Sequence, residues 1–493
     1  MSGDIWVALP LACLAAGALL VAFLARVVTR SNGWLAGATA LAFAGGLAAT
    51  VMAATHALAW QASTGTWPLW GNTAPGGALL RAEPGSLLLT GVAMAMGLLV
   101  ALYSGRYLSL DQRYMTYYPL LLLLVIGLSG VLMAADLFTL FLACELMGVA
   151  SYVLVAFRRH TDTSVEAGFK YLVMSSAGTM AMLMGVALVY RASGSLRLPQ
   201  MATGNPWARA GLACLATGLC VKVGIVPVHT WLPDAQGRAP SSISAMLAGA
   251  VEGGALYALL KVCMGLGVSP EALGTLLMVS AMVNMCVGNL MALRQTYTKR
   301  LLAYSTIAQM GYIMLAIGVG LRHGVGDAVQ AGFFMMLAHS AMKGLAFLSK
   351  GAFHYCCGVT EMEQLRGVAR KLPLVSVTML VAVIGLIGVP PLAGFAGKWL
   401  VLAEVLRAAD WLGLVGAVVF IANVVLSLGY YLPLAAMLFA VPDALPVVKV
   451  PLSRWMAVPL LALAGLVLAM GVHPEPWLGL IAGVGPYLLS LTP

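Results

Sequence analysis

Charge is scarce in this chain. Only 9% of its 493 residues are Asp, Glu, Lys or Arg, while 61% are hydrophobic, and a soluble domain carries about 25% charged residues. So few charges cannot cover a water-exposed surface of this size, which excludes a soluble fold. Cysteines number eight, scattered through apolar runs without CxxC spacing, so they read as small core residues rather than a disulfide or zinc framework. The adjacent Cys356 and Cys357 beside His354 are the single hint of a metal, and one hint does not make a site. No GxGxxG, P-loop, HExxH or cluster-ligand spacing occurs, which argues against an autonomous enzyme and against any cofactor or metal held by this chain. Polar connections are also too short to form an extramembrane domain for a nucleotide or an iron–sulfur cluster. The first residues carry Asp4 rather than a basic cluster, so the first apolar run reads as a true span and not as a signal peptide.

Apolar runs, by contrast, continue almost end to end. At about 20 apolar residues per span they give an all-α polytopic membrane protein of about fourteen helices, from 5–26 to 452–473. The tail 477–491 is too short and too interrupted to cross, and reads as interfacial. The longest polar connection, roughly 58–84, carries Trp60, Trp67 and Trp70, as an interfacial loop should. The net charge of +10 is a topology signal, not a nucleic-acid footprint. Of the 27 Lys and Arg residues, 16 fall in odd-numbered loops, 7 in even-numbered loops and 4 within spans. The positive-inside rule then places odd loops in the cytoplasm and both termini outside, in a cell membrane.

Two stretches break the rules of a membrane span alike. VKVGIVPVHTWLPDA (Val221–Ala235) and GVPPLAGFAGKWLVLAE (Gly388–Glu404) each combine a lysine, Lys222 or Lys398, with prolines that end a helix, Pro227 or Pro390 and Pro391. Such breaks survive in lipid only where protein or a hydrated cavity satisfies the freed carbonyls. Paired interrupted spans point to a transport site. The four embedded lysines are Lys170, Lys222, Lys343 and Lys398, with Glu145 and Glu252 as embedded acids. A mid-bilayer charge costs about 2.5–3.5 kcal/mol even on the lenient scale, so it is paired, hydrated or functional. Glu145 has no neighbour in sequence to neutralise it, and a cross-helix pair with Lys222 is the natural solution. A buried ion pair that only fixes packing is the plainer reading for either residue alone. It does not explain the whole set. His229 follows the first break and either relays protons or caps freed carbonyls. His339 lies four residues before Lys343, on the same helix face. Lys170 lies at i,i+4 from Glu166, so it is as readily a locally paired, snorkelling lysine as a carrier.

These residues sit in a series of longer motifs. KVGIVPVHTWLPDAQGRAPSSISAMLAG (222–249), DLFTLFLACELMGVASYVLVAF (136–157), TKRLLAYSTIAQMGYI (298–313), LAHSAMKGLAFL (337–348) and GVPPLAGFAGKW (388–399) resemble the antiporter-like membrane subunits of respiratory complex I (NADH-quinone oxidoreductase). The same proteins occur in multisubunit Na+/H+ antiporters and energy-converting membrane hydrogenases. The resemblance covers about residues 100–440. It implies fourteen helices with two inverted five-helix repeats, helices 4–8 and 9–13, and broken helices 7 and 12. The chain then divides into an N-terminal three-helix segment (1–110), a first repeat (111–267), a second repeat (268–440) and a C-terminal helix with an interfacial tail (441–493). The family's charged axis would pass through Glu145, Lys222, His339, Lys343 and Lys398. Family members usually carry a lysine on helix 8. Here that position is Gly253, with Glu252 adjacent, so either Glu252 is an acidic central carrier or water bridges the middle. Glu252 facing outward, toward another subunit or a loop arginine, is the competing reading.

Two functions follow from the resemblance. One is a proton-translocating subunit of a redox-driven complex, whose iron–sulfur clusters and other redox cofactors lie in partner subunits. Those partners would be paralogous antiporter-like subunits, small multi-helix subunits and a peripheral redox arm. The alternative is a subunit of a stand-alone cation/proton antiporter without redox chemistry. Bilayer lipid is a partner of either, and nucleic acid of neither.

Overall fold

The computed structural model describes residues 5–27, 32–59, 65–70, 78–109, 111, 114–159, 161–198, 205–408, 410–441 and 447–491. Its elements run α1 (Ile5–Val27), α2 (Asn32–Ala59), β1 (Gly65–Trp70), β2 (Ala78–Ala82), α3 (Pro84–Tyr107), α4 (Tyr114–Met133), α5 (Leu137–Val155), α6 (Asp162–Ser193) and α7 (Pro206–Val223). Then follow α8 (Trp231–Arg238), α9 (Ser241–Met246), a π-helical turn (Leu247–Val251), α10 (Glu252–Gly265), α11 (Pro270–Ala292), α12 (Thr298–His323) and α13 (Gly326–Cys357). The chain ends with α14 (Pro373–Ile387), α15 (Ala393–Arg407), α16 (Trp411–Phe439), α17 (Arg454–Val472), α18 (Glu475–Ile481) and α19 (Val484–Ser490).

The protein is almost wholly helical. Among the described residues, 12 helices are long and apolar enough to cross a membrane, or 13 if the bent pair Glu363–Arg370 and Pro373–Ile387 forms one span. The difference from fourteen lies in the interrupted segments. α7 carries Arg209 and Lys222 in 18 residues, and α14 is stopped after 15. The expected interfacial loop at 58–84 instead contains an antiparallel hairpin, with Gly65 opposite Ala82 and Trp67 opposite Leu80. Trp67 and Trp70 fall on β1, and Trp60 lies outside the described residues. The tail forms the two short helices α18 and α19.

Burial sorts the helices into layers. The apolar middle of the span Ser241–Gly265 and of α13 is wholly buried, and that of α12 nearly so, whereas α1, α6, α16 and α17 bury little more than a third of theirs. The outer helices present apolar side chains such as Phe169, Val418 and Leu461, the surface that lipid or another membrane subunit requires. Lys222, Glu252, Lys343 and Lys398 are buried, and Glu145 is half-buried. Three lysines that the span count leaves in loops join them. Lys350 lies inside α13, Lys299 in the first turn of α12 and Lys261 in α10, all buried. Lys261 pairs with buried Glu83 at 3.4 Å and donates to the Leu132 carbonyl. Lys170 is the converse case. Its half-exposed head bonds Glu166 at 2.7 Å and Asp234 at 3.1 Å, so it is a locally paired surface lysine and not an embedded one.

Both breaks are built the same way. α7 starts on Pro206 behind an Asn205 cap and ends at Gly224, whose φ of 77° is left-handed. α14 starts on Pro373 and ends at Gly388, with φ 94°. Proline at the first helical position and a left-handed glycine just past the end are the local signals for starting and stopping a helix. In each case proline follows within three residues and prevents the helix from resuming. After the second break the chain folds back so tightly that a Cβ on Gly394 would lie 1.8 Å from the Gly385 carbonyl oxygen. Gly394→Ala must therefore push two backbones apart. It is expected to destabilise the protein by about 3 kcal/mol, the upper end for overpacking. A thermal melt of the detergent-solubilised protein checks this, and an unchanged midpoint would contradict the packing described.

Candidate functional site

The first break places Lys222 in the last turn of α7, only 2% exposed. Its Nζ donates to the Ser175 hydroxyl of α6 at 2.6 Å and rests against Gly148 of α5, where an added Cβ would approach it to 3.1 Å. Glu145 lies nearly one turn earlier on α5, close enough for the two charges to interact. The direct pair expected from sequence is not formed, because the ammonium donates to Ser175 instead. Glu145 Oε1 is buried without a hydrogen bond. The freed backbone at the break is satisfied by side chains, as lipid demands. Val226 N–H donates to Asn284 Oδ1 at 2.9 Å, and Trp231 Nε1 donates to the Val221 carbonyl at 2.8 Å. The Val221 carbonyl therefore has no need of His229, which lies half-buried beside the Pro227 carbonyl of the break with Nδ1 unpartnered.

The middle of the molecule answers the question raised by Gly253. A Cβ there would lie 3.0 Å from Met336 Sδ of α13, so a lysine at this position would require the flexible Met336 side chain to shift. Glu252, one residue earlier, is fully buried. The outward-facing reading is thereby corrected. Glu252 Oε1 accepts a short hydrogen bond from Gln236 Nε2 of α8, while Oε2 has no partner. Gln236 Oε1 in turn accepts from the Thr306 hydroxyl of α12 at 3.5 Å. On α13, Lys343 Nζ donates to the Leu302 carbonyl at 2.7 Å and to the Ser305 hydroxyl. Lys343 also feels the Glu252 carboxyl. His339, one turn before Lys343, is buried beside the Ala248 carbonyl, with no ring nitrogen hydrogen-bonded at normal geometry.

The second break holds Lys398 differently from Lys222. Lys398 lies after its break, on α15, and its Nζ reaches back to the Leu386 and Ile387 carbonyls, each at 2.8 Å. A cation at the C-terminal end of a helix is favoured by the aligned peptide dipoles, and here it also satisfies the last carbonyls of α14. Lys398 sits 5.0 Å from the centroid of the Tyr312 ring. Gln309 of α12 donates to the same Leu386 carbonyl at 3.2 Å, leaving Gln309 Oε1 unpartnered. The Tyr431 hydroxyl faces Ser305 and Gln309 and is likewise buried without a hydrogen bond at normal distance.

The predicted residues therefore form a series across the buried helices: Glu145 and Lys222, then Glu252, His339 and Lys343, then Lys398. The uncharged groups between them carry no comparable signal in the sequence. Ser175 binds the Lys222 head, Gln236 the Glu252 carboxyl and Ser305 the Lys343 head, while Gln309 shares the Leu386 carbonyl with Lys398 and Tyr431 faces Ser305 and Gln309. Polar atoms buried in this way are costly unless hydrogen-bonded, and ordered water is a common partner for them.

Residues 134–427 match the family described as "NADH:quinone oxidoreductase/Mrp antiporter, TM". NADH-quinone oxidoreductase subunit N of Geotalea uraniireducens is 32% identical over 488 residues, 98% of this chain and 99% of that protein. F(420)H(2) dehydrogenase subunit N of Methanosarcina mazei is 33% identical over 406 residues, 79% of this chain and 81% of that protein. Among solved structures, a chain of respiratory complex I from Thermus thermophilus superposes with a TM-score of 0.77 at 31% identity, covering 96% of this chain and 99% of that one.

Proposed function

Because this chain belongs to the NADH:quinone oxidoreductase/Mrp antiporter family of transmembrane proteins, we propose that it is the proton-translocating, antiporter-like subunit of a redox-driven membrane complex. The observation that carries this is the set of ionisable residues inside apolar helices, half-buried Glu145 and buried Lys222, Glu252, His339, Lys343 and Lys398, the buried ones set against neighbouring hydroxyls, amides or carbonyls and all arranged about two helix breaks. The relatives named above are subunits of NADH-quinone oxidoreductase and F420H2 dehydrogenase, which favours the redox-driven reading over the stand-alone antiporter. Electrons are handled elsewhere in the complex. Partner subunits would carry the iron–sulfur clusters and other redox cofactors, and paralogous membrane subunits would flank this one. In this reading Glu145, Lys222, His229, Glu252, His339, Lys343 and Lys398 carry protons, residues 111–267 and 268–440 form two inverted repeats, and the odd loops face the cytoplasm with both termini outside.

The test is proton translocation by the assembled complex in sealed vesicles, driven by its electron donor and read by a pH-sensitive dye. A collapse of the signal with a protonophore but not with a Na+ ionophore supports a proton pump, and the reverse result overturns it. Glu252→Gln is the sharpest variant at the centre. Glutamine still accepts from Gln236 but cannot exchange a proton, so coupled turnover is expected to fall on the order of a hundredfold, the lower range for losing a proton-transfer group. Pumping at the wild-type rate by an assembled Glu252→Gln complex would remove Glu252 from the path.

A further inference from the structure

Four ionisable residues of α13 form a stripe that the axis only half uses. His339, Lys343, Lys350 and His354 are spaced four, seven and four residues apart. At 3.6 residues per turn they fall within about 60° of one another and extend about 22 Å along the helix. We propose that α12 and α13 enclose a proton entrance that opens on the odd-loop face, with His354 at its mouth and Lys350 as the inner carrier that delivers protons to Lys343. This rests on the proton-transport reading above and deepens it, since it says where the second half of the axis is loaded.

Lys350 is 1% exposed. Its Nζ donates to one acceptor, the Val359 carbonyl at 2.6 Å, and no carboxylate pairs with it among the described residues. α12 faces it with Lys299, also buried, which donates to the Ala239 carbonyl. Lys299 and Lys350 repel each other, and Arg158 and Arg238 add to that field at Lys299. His354 is placed in the same field by Lys350, Arg158 and Lys299. From α3 come Tyr103 and Tyr107, whose neighbours include Arg158 and Cys356. α14 carries no charge here, and its Thr378 hydroxyl is bonded to Ser349. Lys449 Nζ approaches the Gly358 cap. Of the acids on neighbouring segments, Asp111 is already held by Arg158 at 3.0 Å, and Glu361, two residues beyond Val359 and paired through its backbone with Tyr297, forms no ion pair with Lys350.

Unpaired buried charge is strongly destabilising, and an apolar side chain would fill this space at lower cost. A lysine that loads and releases a proton needs no fixed counterion. The α12 face continues inward with the Leu302 carbonyl, Ser305, Thr306 and Gln309, recurring at three- and four-residue intervals. Two of these groups already bind Lys343. The transfer is one proton. The Lys350 ammonium gives it up, becoming an amine, and the neutral amine of Lys343 receives it about 10 Å deeper, two turns along the helix. No other bond changes.

The experiment uses the whole complex in vesicles whose odd-loop face meets the external buffer, with proton translocation followed as external pH is raised. Lys350→Met is expected to slow translocation on the order of a hundredfold, with a loss that deepens as external protons become scarce. Lys350→His keeps an exchangeable proton and is expected to recover most of the rate. His354→Phe, at the half-buried mouth, is expected to show the same pH-dependent loss without disturbing the packing around Lys350. Wild-type pumping by Lys350→Met at every pH overturns the entrance, as does equal loss in the Met and His variants when both assemble. Lys222→Ala, measured alongside, separates the two readings. If it abolishes pumping while Lys350→Met pumps normally, only the entrance is lost. If Lys222→Ala also pumps normally, the axis itself fails.

Discussion

Lys222→Ala is expected to reduce proton translocation on the order of a hundredfold or more, the cost of removing a group that transfers the proton, while the complex still assembles. The geometry explains both halves of that expectation. The Lys222 ammonium binds Ser175 rather than Glu145, so removing it leaves a neutral hydroxyl and not a stripped ion pair. Glu145 is nearby but already unbonded at Oε1. Glu145 acts electrostatically on Lys222, so the Ser175 hydroxyl and the Glu145 carboxylate compete for one ammonium. Ser175→Ala removes the first of these partners and should shift Lys222 toward Glu145, giving slower turnover with the protein intact. Dye-monitored pumping, with assembly verified by native gel, checks both variants. A Lys222→Ala complex that pumps at the wild-type rate would sink the assignment.

Lys398 carries the second large effect, and here position rather than charge alone decides the outcome. Its Nζ closes the C-terminal end of α14 by donating to two carbonyls, and Gln309 covers only one of them. Lys398→Met is expected to abolish pumping and also to cost about 1–3 kcal/mol of stability from the carbonyl left unsatisfied. Lys398→Arg keeps donors and charge and should retain both folding and part of the activity. Lys398→Glu, which sequence alone would rank with arginine as another ionisable group, should fail. A carboxylate would face carbonyl oxygens at the negative end of a helix dipole. Thermal melts and pumping measured on the same three preparations distinguish these outcomes. Retained pumping in Lys398→Glu would show that Lys398 leaves those carbonyls during turnover.

Much of this architecture is legible in the amino-acid order of residues 222–404. Proline and glycine mark the breaks because their backbone chemistry leaves few alternatives, and a lysine in an apolar run is conspicuous because lipid penalises it. The connecting groups are hidden for the same physical reason in reverse. Serine and glutamine are tolerated in many membrane helices, so Ser175, Gln236 and Ser305 gain meaning only when their partners are placed in space. Glu252 is visible in the sequence but its direction is not, since α10 begins in a π turn that rotates every later residue relative to a regular helix. Lys299 and Lys350 read as loop residues because they lie near the ends of apolar runs. Span length alone cannot tell the end of a helix from a buried final turn.

The second break has one more consequence. Gly394 lies against the backbone of Gly385, and a Cβ on Gly471 of α17 would lie 2.1 Å from the Pro391 carbonyl oxygen. The interruption is clamped on both sides by backbone rather than by side chains that could yield. A joint built in this way is stiff. It resembles a rivet more than a hinge, and bending at it would have to compress main-chain atoms already in contact. α14 and α15 are therefore expected to move as one body with α17, because interiors packed at this density transmit displacement instead of absorbing it.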